Sequence, residues 1–338
     1  MEEQAVLLRE VQFVQTMDVH THFYPKSYLD RLRTVPDMEI RRDAAGRDTI
    51  YEHGARVVTL TPPMEDVDLR LQEMDRVGMD MAVLSVSIPN VYFAAAEDAP
   101  GLCREANQGL LEVCARAPTR LKAWASVPLQ SPERAVEELD WAYRAGMLGV
   151  VLGSNIRGRA LTDPAWRPFW EFCERRRTVI FMHPMAPMDG ALYERYALAP
   201  LLGFINDTNV AVAGLIFDGF FDRYPHIRLI VPHLGAALPY LAERLDNGYR
   251  AYPECREHID ELPSTYLRRL YYDTVSFHVP ALECAIATVG AEHVLLGSDW
   301  PHVIGDMEGA IRSVRQLPVD EAAKNAMLSG NARRLLGL

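Results

Sequence analysis

The chain has 338 residues, 49% of them hydrophobic and 24% charged, which is enough apolar material for a large core in one or two domains. A net charge of −11 argues against a polyanionic partner and so against nucleic acid. The five cysteines, Cys103, Cys114, Cys173, Cys255 and Cys284, are widely spaced without a Cys-x-x-Cys pair, and read as reduced thiols of a cytoplasmic protein. The opening MEEQAVLLREVQF lacks the basic and apolar succession of a secretion signal. No apolar run approaches the roughly 20 residues of a membrane span; VAVAGLIFDGFF at 210–221 is broken by Asp218, so no membrane partner is expected.

Short apolar runs, each followed by a polar turn and a helical stretch, recur along the chain. The expected strands are TMDVH (16–20), MAVLSVS (81–87), LKAWASV (121–127), LGVVLG (148–153), TVIFMH (178–183), IRLIVPH (227–233), RLYYDT (269–274) and HVLLGSD (293–299). Helix starts are marked where a capping side chain precedes proline, at Ser131-Pro132 and Asp163-Pro164. In SPERAVEELDWAYRAG the spacing puts Val136, Leu139 and Tyr143 on one face and stops the helix at Gly146. Eight such units predict an α/β fold, a (β/α)8 TIM barrel, with a doubly wound open sheet as the alternative. The first crossover is abnormally long. RRDAAGRDTIYEHGARVVTL predicts one or two hairpins inserted over the barrel mouth at about 23–63 of a single 1–338 domain.

Functional groups of such barrels gather where strands end. Strand 1 ends in Asp18-Val19-His20-Thr21-His22, whose two histidines, two residues apart, project to one side of an extended chain. Strand 5 ends at His183, strand 6 at His233 and strand 8 at Asp299. One histidine at a strand end is more often structural, and Gly-Ser-Asp more often a turn. Five such groups on one face form instead the ligand set of zinc or another borderline divalent metal with an open position.

The pattern resembles the amidohydrolase superfamily, and within it the decarboxylase branch typified by aminocarboxymuconate semialdehyde and γ-resorcylate decarboxylases. Beyond the metal motif, the resemblance rests on RVVT, DVDLRLQEMDRVGMDMAVLS, FMHP, the stretch from Pro200 to Gly248, YLRRLYYDTVSF and GSDWPH. It implies that His20, His22, His183 and Asp299 bind one divalent metal, zinc foremost and manganese second. His233 becomes the acid or base beside it, with Asp299 sharing the catalytic role. Arg56 and Arg244 would bind substrate carboxylates, the second from a neighbouring subunit, so a homodimer or larger homo-oligomer is expected, with LIFDGFFDRYP near the interface by its apolar content. There are departures. Ala197 stands where the semialdehyde decarboxylase has a tryptophan, and His302 where it has an aromatic residue, so that particular substrate is not assigned. His302 could bond a phenol or ring nitrogen, or lie unused on its loop. His278 reads as a loop histidine, as does His53 in the inserted hairpin.

The expected function is metal-dependent, non-oxidative decarboxylation of an aromatic or unsaturated cyclic acid. Two routes remain open at this level: addition of hydroxide formed with help from His233, or ring protonation by a site acid such as Asp299. A metal-dependent hydrolase of an amide, lactone or carbon–carbon bond is the alternative, and a silent scaffold that kept the barrel is the third reading.

Overall fold

The computed structural model describes residues 15–36, 38–52, 55–185, 190–193 and 195–338; His53 and the first fourteen residues fall outside them. All eight expected strands form: β1 (Met17–His22), β2 (Met81–Ser85), β3 (Leu121–Ala123), β4 (Val150–Gly153), β5 (Val179–His183), β6 (Arg228–Val231), β7 (Tyr271–Asp273) and β8 (Val294–Leu295). They pair in parallel as β1–β2–β3 and β4–β5–β6–β7–β8. The two sheets meet at both seams. At one, Ala125 bridges Val150; at the other, Thr21 bridges Trp300 and the Val19 amide donates to Leu296 O at 2.9 Å. Each strand thus neighbours the next in sequence and the first neighbours the last, which is the circuit of a (β/α)8 barrel. Continuous apolar runs fit strands covered on both faces.

The crossover helices are α1 (Val67–Val77), α2 (Ala99–Ala115), α3 (Pro132–Arg144), α4 (Arg167–Arg176), α5 (Phe204–Phe217), α6 (Leu238–Ala251), α7 (Val279–Val289) and α8 (Met307–Arg315). Asp66 caps α1 by accepting from the amides of Asp68 and Leu69, and Gly78 ends it in the left-handed region at φ 75°. Pro132 opens α3 as expected, but Ser131 does not cap it; its hydroxyl donates to Ala96 O at 3.0 Å. The buried face of α3 carries Leu139 with Ala135 and Ala142, while Val136 and Tyr143 sit half-buried at its margins. Asp163 does cap, accepting from the Ala165 amide at 2.9 Å.

The first crossover contains a short helix, Lys26–Leu32, absent from the sequence expectation, then an antiparallel sheet of Met38–Arg42, Asp48–Glu52 and Ala55–Thr59. The Thr61 hydroxyl ties it to the loop after β8 by donating to Pro301 O at 3.0 Å.

Two further expectations change. Residues Ala199–Phe217 run as one 19-residue helix, long and apolar enough by length and composition to cross a membrane. Here it is the crossover after β5, with Val212, Leu215 and Ile216 against the core and Asp207 buried. The stretch LIFDGFFDRYP, placed by its apolar content near a subunit interface, is largely core, since Phe220 and Phe221 are 3% and 2% exposed. Exposed apolar side chains lie elsewhere, among them Tyr196, Leu201, Leu202, Val210 and Tyr240, with Val303 and Ile304 on the loop after β8.

Candidate metal centre

Period-two alternation builds a floor and a top layer inside the barrel. Val179 and Phe181 of β5 belong to an inner apolar cluster, and His183 continues their face. On β2 the same face runs Met81, Val83, Ser85; past β8 it runs Leu295, Gly297, Asp299. On β1 simple alternation would put His20 and His22 opposite Met17 and Val19. The β1–β2 register shifts between Asp18 and Thr21, with Asp18 opposite Ala82 but Thr21 opposite Leu84. That bulge turns both histidines inward, and the His20 ring lies 4.8 Å from the Phe181 ring.

His20, His22, His183 and Asp299 are all buried, and each offers a ligand atom within 4.8 Å of the others. Their orientation has a common cause: each Nδ1 is engaged elsewhere. His20 Nδ1 donates to Asp273 Oδ2 at 2.6 Å, His22 Nδ1 meets Ser85 Oγ at 2.9 Å, and His183 Nδ1 donates to Pro184 O at 2.9 Å. The Ser85 hydroxyl has its own acceptor in Thr21 O, so it accepts from His22. Three Nε2 atoms are left pointing inward. Those of His20 and His183 are buried and have no hydrogen-bond partner among the described residues. Asp299 Oδ1 lies 3.1 Å from His20 Nε2 and 3.0 Å from His22 Nε2. Lone pairs facing a carboxylate repel one another unless a cation lies among them, so the donor set fits one divalent metal ion.

Electrostatics agree. Burial drives His22 down to about 3 and His183 well below its usual value, which keeps both imidazoles neutral. Burial also opposes charge on His20, but the carboxylates of Asp299 and Asp273 outweigh it and push that imidazole up to about 10. Two acidic neighbours that favour a proton there favour a metal ion equally. Asp299 itself stays well below the ordinary carboxylate range because His20 and His302 overcome its burial.

His233 stands on a tight turn after β6, with φ of 53° at His233 and 56° at Leu234. Left-handed non-glycine residues are uncommon and gather at functional sites. Asp299 is also left-handed, at φ 55°. His233 Nε2 lies 3.7 Å from Asp299 Oδ2, and its buried Nδ1 has no hydrogen-bond partner among the described residues. His302 joins the rim, with its ring 4.8 Å from His22 and Nε2 3.0 Å from Ser87 Oγ.

The two arginines are not part of this cluster. Arg56 is exposed on the inserted sheet and donates to Thr59 Oγ1 at 2.6 Å. Arg244 is exposed on α6 with no ion pair among the described residues; Glu243 pairs with Arg250 and Asp246 accepts from the Ser264 amide. His278 is exposed at the start of α7, and Ala197 is exposed after β5.

Several participants were not singled out from sequence. Asp273 holds His20, and its position at the end of β7 was the available signal. Arg70, fully buried, donates to Thr21 Oγ1 at 2.7 Å and to His22 O, and lies over the Trp300 ring at 4.7 Å. Burial lowers its guanidinium to about 9. Asp18 accepts from the His20 amide and from Ser298, and burial pushes it up to about 6.

A parallel barrel with three inward histidines and an aspartate at its strand ends defines a metal-dependent enzyme scaffold. The amidohydrolase family profile matches residues 17–338, and the chain belongs to that family. It is 28% identical over 337 residues to the 2-amino-3-carboxymuconate-6-semialdehyde decarboxylase of Dictyostelium discoideum, covering 95% of this chain and 91% of that one. Against the gamma-resorcylate decarboxylase of Rhizobium radiobacter it is 31% identical over 291 residues, covering 80% and 87%. A dihydroxybenzoic acid decarboxylase from Polaromonas sp. JS666, solved with manganese and 2-nitroresorcinol, superposes with a TM-score of 0.81 at 26% identity, covering 96% of this chain and 97% of that one.

Proposed function

We propose that the protein is a metal-dependent, non-oxidative decarboxylase of a small aromatic or unsaturated cyclic carboxylic acid. The observation that carries the reading is the convergence of three Nε2 atoms and Asp299 beside His233, in a chain related over most of its length to decarboxylases. His20, His22, His183 and Asp299 would hold the ion; three imidazoles and a carboxylate suit zinc, and the Polaromonas relative supports manganese as the other choice. When bound, the ion supplies positive charge that holds the substrate carboxylate and draws electron density from the ring.

The chain's own residues then manage one proton. Loss of carbon dioxide breaks the ring–carboxyl bond and leaves its electron pair on the ring carbon, which must gain a proton. His233 Nε2 and Asp299 Oδ2 lie 3.7 Å apart, longer than a hydrogen bond, and closing that gap on substrate binding would let a proton pass between them on its way to that carbon. His233 Nδ1 is buried and has no hydrogen-bond partner among the described residues. His302 and Ser87 offer a hydrogen-bonding pair at the rim for a ring hydroxyl.

Arg56 and Arg244 are assigned to substrate carboxylates, Arg244 across a homodimer or larger assembly. Support comes from its guanidinium, exposed and without an ion pair among the described residues, and from Tyr240, one turn earlier on the same face and 81% exposed. The five free thiols support a reducing, cytoplasmic location.

The test is His233→Ala in metal-loaded protein. Metal content should stay near wild type while turnover falls by about 10²–10⁴-fold, the usual contribution of a positioned acid or base. Unchanged turnover would remove His233 from the reaction and with it this reading of the site.

A further inference from the structure

We propose that Asp273 is a positioning residue that sets two parts of the site at once, fixing His20 with Nε2 turned toward the metal and holding the backbone of the His233 turn. Its two oxygens have separate partners. Oδ2 accepts from His20 Nδ1 at 2.6 Å, with both side chains fully buried. Oδ1 accepts from the amides of Leu234 and Val275, each at 3.0 Å. The Leu234 amide belongs to the peptide that leaves His233, so one carboxylate spans a metal ligand and the residue proposed to move the proton.

The surroundings are built for this approach. A Cβ on Gly297 would stand 2.7 Å from Asp273 Cβ and 3.0 Å from His20 Cβ, so glycine there lets the pair close up. A Cβ on Gly235 would stand 2.6 Å from the Tyr272 ring, which seats the His233 turn against β7. Left-handed residues at His233 and Leu234 need an acceptor to hold them, since the Leu234 amide would otherwise be buried without one.

Only an ionised carboxylate serves both sides. In Asp273→Asn the amide oxygen can face the two backbone amides, which puts an NH2 against His20 Nδ1 and forces the proton onto Nε2, where it blocks the metal. Turned the other way, the NH2 meets two amide donors and the turn is released. The inference rests on His20 being a ligand, as proposed above.

The experiment measures zinc affinity of the full-length protein by chelator competition for wild type, Asp273→Asn and His20→Ala, with imidazole NMR on the zinc-loaded wild type. Wild type should bind one ion per chain and Asp273→Asn should bind about 10–100-fold more weakly. The wild-type spectrum should show a slowly exchanging proton on His20 Nδ1, a signature that general destabilisation would not produce. Asp273→Asn affinity within about twofold of wild type, with His20→Ala weakened, would overturn the role of Asp273 and leave the metal site standing. If His20→Ala binds like wild type, the site reading itself fails and this inference with it. Should Asp273→Asn not fold, the wild-type spectrum decides, since absence of that hydrogen-bonded proton overturns the proposal.

Discussion

His183 shows how a single residue is prepared. Its Nδ1 donates to the carbonyl of Pro184, an acceptor with no proton to exchange, so Nε2 keeps its lone pair. His183→Ala should therefore cost more than the 10–100-fold that second-sphere changes cost in metal affinity, measured by metal analysis after dialysis. Stoichiometric metal in that variant would contradict the ligand set. His20, His22, His183, His233 and Asp299 were legible because each ends a strand of readable apolar pattern. Asp273 was not, because its meaning depends on His20, 253 positions away. The same holds for Arg70, which reads as an ordinary helix cation and is in fact fully buried beneath Trp300. The cysteines give a residue-scale check. Cys103, Cys114 and Cys173 are buried and burial pushes each thiol up, Cys114 to about 12, whereas Cys284 is exposed. A thiol reagent at mildly alkaline pH should label Cys284 first and spare those three until unfolding. Equal labelling of all five would contradict the burial.

At the scale of elements, strand existence was readable and strand phase was not. Alternation correctly put His20 and His22 on one face, but which face depended on a bulge between Asp18 and Thr21 that no residue of MDVHTH announces. The Lys26–Leu32 helix was missed because seven residues are too short for a helical period to stand out and no side chain caps it. The inserted hairpins were readable from the turn at Asp43-Ala44-Ala45-Gly46 and the β-prone Thr49, Ile50 and Tyr51 that follow it. Gly297 links packing to chemistry. Gly297→Ala should destabilise by about 1–3 kcal/mol, as overpacking does, and weaken metal binding by parting His20 from Asp273. Gly101→Ala, in α2 with nothing within 4 Å of the added carbon, should be neutral or slightly stabilising. Paired thermal melts check both, and a wild-type melt for Gly297→Ala would contradict the packing.

For the whole molecule, exposed Leu201, Leu202, Val210 and Tyr240 lie on or beside the crossovers after β5 and β6, and such apolar surface is usually covered by a partner. Sedimentation should give at least a dimer. Arg244→Ala should leave that assembly intact and raise KM several-fold for a dicarboxylate more than for a monocarboxylate. A monomer in solution would contradict a shared site. The architecture was readable as eight repeats of strand and helix, whereas apolar content alone does not mark a surface: in LIFDGFFDRYP, Leu215, Ile216, Phe220 and Phe221 are apolar for the sake of the core. The measurement that tests the central claim most directly is anaerobic carbon dioxide release in deuterated water. Zinc- or manganese-loaded protein would be given a panel of hydroxybenzoates, carboxyvanillate-like acids and carboxymuconate derivatives. The account predicts release from at least one acid without oxygen, abolished by chelator, with one deuterium on the carbon that lost its carboxyl group. Metal-loaded protein that releases none, while hydrolysing an amide or lactone, would contradict it.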